Sequence, residues 1–326
     1  MDRQVMKGKM LVTGGAGYIG SVLVGHLLQK GYSVRVLDNL MYTGKSLLAY
    51  WEHPEFEFIY GDVNNAELLE NALEETDYVV HLAAIVGDPA SKKDVQLTRR
   101  VNCEASKKLI DKAVDQGIIK FIFVSTCSNY GISSPETYAT EESPLRPLSP
   151  YAESKVEVEK YLMESTKTFD YAILRLATAY GVSPRMRFDL TVNDFTMQMA
   201  IKGYLMVYGK EFWRPYVHIS DIARAIRLVL KKPGGSHREV FNVGDNRENY
   251  RKIDIVNMIA KYVPHAKVEF KGSGNDPRDY KVSFDKIKQV LGFSISRNVE
   301  DGIKEVLRLI DSKVITDFEN KEYYNS

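Results

Sequence analysis

The chain has 326 residues, 44% of them hydrophobic, and a formal net charge of +1 from 44 basic and 43 acidic side chains. That is enough apolar material for one or two well-cored domains, and so even a charge balance argues against a nucleic-acid-binding or membrane-surface protein. The two cysteines, Cys103 and Cys127, make no disulfide framework and fit a reducing cytoplasm, and no apolar run approaches the roughly 20 residues of a transmembrane helix.

In chain order, "KMLVTGG" reads as a strand and "YIGSVLVGHLLQKG" as a helix ending at Gly31. The opening residues run straight into that strand, so no targeting leader is expected. "SVRVLDN" and "FEFIYGD" are the second and third strands, "NAELLENALEET" a helix, and "YVVHLAA" the fourth strand. A helix over "RVNCEASKKLIDKAVDQG", a fifth strand "KFIFVST", a helix "YAESKVEVEKYLMES" and a sixth strand "YAILRLA" complete the alternation. Strands this apolar, separated by helices, predict a parallel sheet covered on both faces, the doubly wound α/β arrangement of a Rossmann fold.

After Gly181 the alternation fails. "SPRMRFDLTVNDFTMQMAIKG" is a loop with proline and arginine followed by a helix, "HISDIARAIRLVLKK" is an amphipathic helix, and "EVFNVG" returns as a strand. The expected division is a Rossmann domain of residues 1–181 and 218–247, and a smaller, discontinuous C-terminal substrate domain of residues 182–217 and 248–326. The polar tail "DFENKEYYNS" is expected to be loose.

"VTGGAGYIG" sets Gly14, Gly17 and Gly20 directly after a strand and at the start of a helix. Glycine lets the backbone approach a pyrophosphate, and the helix N-terminus offers N–H groups and positive dipole. Asp38 ends the second strand, 24 residues beyond Gly14. A carboxylate there accepts from ribose hydroxyls and repels a 2′-phosphate, which favours NAD over NADP. Asp62 and Val63, in "GDV" after the third strand, are positioned for adenine. In "YAESK", Tyr151 and Lys155 stand four apart on one helix face. A nearby ammonium, with a positive nicotinamide, lowers a phenol's pKa, so Tyr151 can take a proton from a sugar hydroxyl while hydride leaves the carbon.

Together with "LDN", "HLAA", "VN" at Val101–Asn102, "STCSNYG", "LRLATAYG", "RPYVHISDIARA", "FNVG" and "DPRDYKVSFDKIKQVLGF", these motifs make the chain resemble, over nearly its whole length, the extended short-chain dehydrogenase/reductase family that acts on nucleotide sugars, in particular its UDP-galactose 4-epimerase-like members. The resemblance implies NAD as cofactor, held by Gly14, Gly17, Tyr18, Ile19, Asp38, Asn39, Asp62, Val63, Leu82, Ala83, Ala84, Asn102, Tyr151 and Lys155. It makes Tyr151 the general base, Lys155 the partner of the nicotinamide ribose, and Thr126 the hydroxyl that binds the reacting sugar oxygen. It also places Arg214 and Arg278 at the sugar-nucleotide pyrophosphate, where a guanidinium fork suits phosphate oxygens.

The family's dehydratases and decarboxylases carry carboxylic acids just after the position of Thr126, and this chain has Cys127 and Ser128. Neither can serve as that acid. Cys127 is read as a small buried hydrophobe or, alternatively, an acid/base group one position out of step with the cysteine of other epimerising relatives. Thr178 replaces the asparagine usual in UDP-sugar 4-epimerases, and Pro215 the usual aspartate. Asp88, in "AAIVGDPASKK", is either a sugar-binding acid/base group or an Asp-Pro turn opener. His81 and His218 are expected to satisfy local hydrogen bonds.

The implied activity is NAD-dependent epimerisation of a nucleotide-linked sugar (UDP-, GDP-, CDP- or dTDP-linked) through a C4 keto-sugar. Alternatives are a sugar 4-dehydrogenase or ketoreductase, a C2, C3 or C5 epimerase using Asp88 or Cys127, and a non-catalytic NAD-binding regulator. No metal is expected, because no His/Cys/Asp cluster has ligand spacing. No nucleic-acid or membrane partner is expected either. The resemblance implies a cytoplasmic homodimer built on helices 101–116 and 151–166, with Val156, Val158, Tyr161 and Leu162 available for contact.

Overall fold

The computed structural model describes residues 8–132, 136–164, 170–231, 238–272 and 278–325. Residues 165 and 166 of the expected helix, and Asp276 and Pro277 of the last motif, lie outside the described residues. By packing, the chain divides into two compact units: Met1–Ser125, Ser149–Leu174 and Ala223–Val240 form the first, and Thr126–Leu148, Arg175–Ile222 and Phe241–Ser326 the second.

A seven-stranded parallel sheet is the frame of the fold. Its strands are β1 (Lys9–Thr13), β2 (Ser33–Asp38), β3 (Phe56–Tyr60), β4 (Tyr78–His81), β5 (Lys120–Thr126), β6 (Asp170–Leu176) and β7 (Glu239–Val243), in the spatial order 7-6-5-4-1-2-3. Met10, Leu11 and Val12 of β1 and Phe121, Ile122 and Phe123 of β5 have no exposed surface, so these strands are covered on both faces, as their apolar runs predict. Helix α1 (Tyr18–Gln29) follows β1, and Gly31, at φ +77°, stops it in the left-handed conformation that glycine adopts without strain. Helix α2 (Ala66–Leu73) is capped by Asn65, whose side chain accepts from the Glu67 and Leu68 amides. Helices α3 (Ala105–Asp115) and α4 (Pro150–Glu164) pack against the same sheet, and Leu109, Val158 and Leu162 join Leu11, Val79, Phe121 and Ile173 in one core.

The stretch from Val95 is not one continuous helix. A short α-helix, Val95–Arg99, passes through a π-helical turn, Arg100–Glu104, into α3. Such turns concentrate at functional sites, and this one carries Asn102.

The second unit holds a three-stranded sheet (Asn249–Arg251, Trp213–His218, Thr178–Tyr180) and two two-stranded pairings, Tyr204–Tyr208 with Lys267–Lys271 and Tyr138–Ala139 with Lys281–Val282. Its core gathers Tyr180, Val192, Tyr216, Ile255, Ile259, Val299 and Ile303. Asp221 ties the segment before Val299 down by accepting from the Ser296 and Arg297 amides.

The tail is docked, not loose. Phe318 and Tyr323 meet the buried Phe188 ring edge-on, at 5.3 and 5.7 Å between centroids. The Phe188 amide donates to the Tyr323 carbonyl. Arg185 Nη2 donates to Asn325 Oδ1 at 2.7 Å, and the Asn325 amide donates to Asp189 Oδ2. Polar on average, the tail spaces its aromatic residues to cover Phe188 and Met186.

Candidate active site

The turn after β1 is built for close approach. Gly14 has φ +74°, and a Cβ there would lie 2.7 Å from the Ala83 amide nitrogen. A Cβ on Gly20 would collide with the carbonyl oxygen of Gly14 and the Cα of Gly15, both backbone. Only glycine at these two positions lets α1 begin so close to the turn. Asp38, at the end of β2, accepts from the Ala16 amide at 2.9 Å and the Leu40 amide at 2.8 Å. One backbone bond to each carboxylate oxygen fixes the orientation of the side chain. Asp62 accepts from Asn39 Nδ2 and from the Asn64 amide and side chain. Burial alone would raise its pKa, but these hydrogen bonds, Asn64's foremost, hold it below the usual carboxylate range. Tyr18 and Val63 are buried, whereas Ile19, Asn39, Leu82, Ala83 and Ala84 keep part of their surface exposed.

A chain of hydrogen bonds organises the end of β4. Ser106 Oγ donates to the Asn102 carbonyl, so it accepts from His81 Nε2, 2.8 Å away. His81 Nδ1 then accepts from Thr13 Oγ1 at 2.7 Å. The imidazole is neutral: burial, with the nearby Lys155 charge, pulls its pKa down to about 3. Asn102 is bonded at both ends of its amide. Its side chain accepts from the Ile85 amide and donates to the Ile85 carbonyl and to Ser154 Oγ, pinning the loop after β4 to the π-helical turn and to α4. Asp88 opens a short helix, Asp88–Lys93, with Pro89 in its first turn.

Tyr151 begins α4 with part of its surface exposed, and Lys155, one turn on, is only 3% exposed. Lys155 Nζ donates to the Val124 carbonyl of β5 at 2.9 Å and lies 4.7 Å from the centre of the Phe123 ring. Burial pulls its pKa down to about 8, opposed by Cys103 and Glu159. The Cys103 thiol, itself pushed up to about 12 by burial and by Glu157, stays neutral. The charge that opposes burial at neutral pH is therefore Glu159. This residue, fully buried, accepts from Ser125 Oγ. Glu159 was not among the residues singled out in the sequence, although Tyr151, Lys155 and Glu159 recur every four residues and share a face.

In the second unit, Thr126 Oγ1 accepts from the Ser128 amide and hydrogen-bonds Ser128 Oγ, opening a 3₁₀ turn, Cys127–Tyr130. Cys127 is 1% exposed and its Sγ donates to the Arg175 carbonyl. Thr178 is partly exposed in its strand. Arg214 donates to the Trp213 and Arg278 carbonyls, with its guanidinium 5.2 Å from the Tyr280 ring centre. His218 bridges Ser220 and Glu305.

A parallel α/β sheet with a glycine turn after β1, an acid ending β2 and a tyrosine–lysine helix defines a dinucleotide-dependent oxidoreductase scaffold. Residues 10–244 match the NAD dependent epimerase/dehydratase family, and the chain belongs to it. It is an enzyme of that family with NAD as its cofactor, and the glycine cradle and Asp38 fit that group. The chain is 30% identical to the Low-salt glycan biosynthesis protein Agl12 of Haloferax volcanii, across 90% of this chain and 96% of that one. It is 30% identical to a dTDP-glucose 4,6-dehydratase of Streptomyces niveus, across 92% and 91%. Among solved structures it resembles UDP-glucuronic acid 4-epimerase from Bacillus cereus in complex with UDP-glucuronic acid and NAD, at a TM-score of 0.85 and 29% identity, covering 94% of this chain and 99% of that one. No helix among the described residues is long and apolar enough to cross a membrane.

Proposed function

We propose that the protein is a nucleotide-sugar epimerase that works through a C4 keto-sugar. The observation that carries this reading is the buried Lys155 ammonium, held by the Val124 carbonyl one helical turn from Tyr151. Bound NAD supplies an acceptor, and later a donor, of hydride at the sugar carbon. Tyr151 takes the C4 hydroxyl proton and returns it, with Lys155 favouring the phenolate and holding ribose. Thr126 orients the hydroxyl. Gly14, Asp38 and Asp62 hold the dinucleotide, Arg214 and Arg278 the sugar-nucleotide phosphates, and residues 182–217 and 248–326 the substrate. Turning the keto-sugar over before hydride returns inverts C4.

Dehydration or decarboxylation is disfavoured because Cys127 and Ser128 offer no carboxylic acid, and Cys127 spends its sulfur on the Arg175 carbonyl. The test is incubation with NAD and a panel of UDP-, GDP-, CDP- and dTDP-sugars, read for C4 inversion and for NADH. Inversion without NADH build-up and without solvent deuterium on ring carbons is expected. NADH accumulation would point to a 4-dehydrogenase, and deuterium on a ring carbon to C3 or C5 epimerisation. Neither product from the whole panel sinks the reading.

A further inference from the structure

Two rungs join α4 to the end of β5. Lys155 donates to the carbonyl of Val124, and the next residue along the strand, Ser125, donates its hydroxyl to Glu159, the next turn along the helix. Val124 C=O and Ser125 N–H belong to one peptide plane. Anchoring Ser125 therefore fixes the carbonyl that holds the lysine. The four residues from Lys155 to Glu159 advance about 6 Å along the helix and one strand residue about 3.3 Å, so the two rungs set both the rotation and the sliding position of α4 on β5.

We propose that Ser125 and Glu159 form a positioning pair for Lys155, a buried carboxylate that keeps the ammonium charged and seated one turn from Tyr151. This rests on the functional reading of Tyr151 and Lys155 given above. Among the described residues, the other groups facing the lysine do not supply a compensating charge. His81 of β4 is neutral between Thr13 and Ser106, and Cys103 of the π-helical turn is a neutral thiol. Glu157, on the far side of Cys103, is paired with Lys107 at 2.7 Å and Arg99 at 3.3 Å. Among the described residues, Glu159 alone combines full burial, proximity to Lys155 and an acidic side chain. Without it, burial acts on the lysine unopposed, and a neutral lysine no longer favours the phenolate. The pH range in which the phenolate stands beside a charged lysine then shrinks from its basic end.

The experiment is the pH profile of kcat for the NAD-bound enzyme, alongside an ultraviolet difference titration of the Tyr151 phenol with Tyr151→Phe as the blank. Glu159→Gln keeps the side chain's shape and still accepts from Ser125. Its basic limb should move down by about one pH unit, while the acidic limb and the phenol titration, which the loss of a negative charge cannot raise, stay in place or move down. Ser125→Ala removes one hydroxyl and serves if the first variant fails to fold. Without the hydroxyl the strand no longer holds Glu159 in place beside the lysine, so the basic limb should move the same way by less. An unmoved basic limb in either folded variant overturns the proposal, whatever happens to kcat. Full turnover by Tyr151→Phe would instead sink the functional reading itself.

Discussion

Asp38 and His81 show how single side chains set what the cofactor half can bind and where it is stable. With both Asp38 oxygens oriented by backbone amides, removal of the carboxylate loosens the turn and, on the proposed reading, takes away an acceptor for ribose hydroxyls. Asp38→Ala should weaken NAD binding by roughly tenfold or more while narrowing the preference over NADP. Calorimetric titration with the two dinucleotides measures both, and an unchanged NAD affinity would remove Asp38 from the site. His81 is a matter of stability. Its folded pKa lies near 3 against about 6.5 in the unfolded chain, so the unfolded state takes up a proton first as pH falls. The contribution is complete above about pH 6.5 and is lost progressively between there and pH 3. Urea unfolding should show wild type losing up to about 1.4 kcal/mol per pH unit more than His81→Gln across pH 6 to 5. Parallel stability curves would contradict a neutral, buried His81.

At the level of elements, the first half was legible because physics repeats itself there. Strands covered on both faces must be apolar through their middles, as Met10, Leu11 and Val12 of β1, Val79 and Val80 of β4 and Phe121, Ile122, Phe123 and Val124 of β5 are. The glycine turn was legible for the same reason, since only one residue type fits. Gly20→Ala must push α1 away from the Gly14 carbonyl, and both the melting temperature and NAD affinity should fall, the latter by at least tenfold. What stayed hidden depends on register between distant segments. Ser125 and Glu159 are 34 residues apart and meet only once α4 is set on β5. The π-helical turn has no glycine or proline to mark it, and the docked tail was lost in an average polarity that ignores where Phe318 and Tyr323 fall. Removing residues 318–326 uncovers Phe188 and takes Asn325 from Arg185, and should cost about 2–4 kcal/mol in a denaturant titration. A change below about 0.5 kcal/mol would mean that the tail only decorates the surface.

For the molecule as a whole, cofactor and stability are linked. NAD at a hundred times its Kd should stabilise the fold by about 2.7 kcal/mol and raise the melting temperature, and the nucleotide sugar that adds the largest further rise is the one the site prefers. We further propose a homodimer. Val158 and Leu162 have no exposed surface within one chain, Val156 keeps 7%, and Tyr161 donates to Asp111, so core packing already accounts for these side chains. An interface on α3 and α4 would then use their outward charged residues, and its strength should fall as salt rises. Sedimentation at micromolar concentration should find a dimer, and a monomer there would refute it.

The docked tail also governs how the protein should be produced. Asn325, the last described residue, is 8% exposed and bonded at both its amide and its side chain. A tag fused directly after Ser326 would therefore have a single residue between it and a buried anchor. Without a spacer, the tag would compete with Arg185 and Asp189 for the very residue that seals Phe188, and an assay of that fusion would report on the handle as much as on the enzyme.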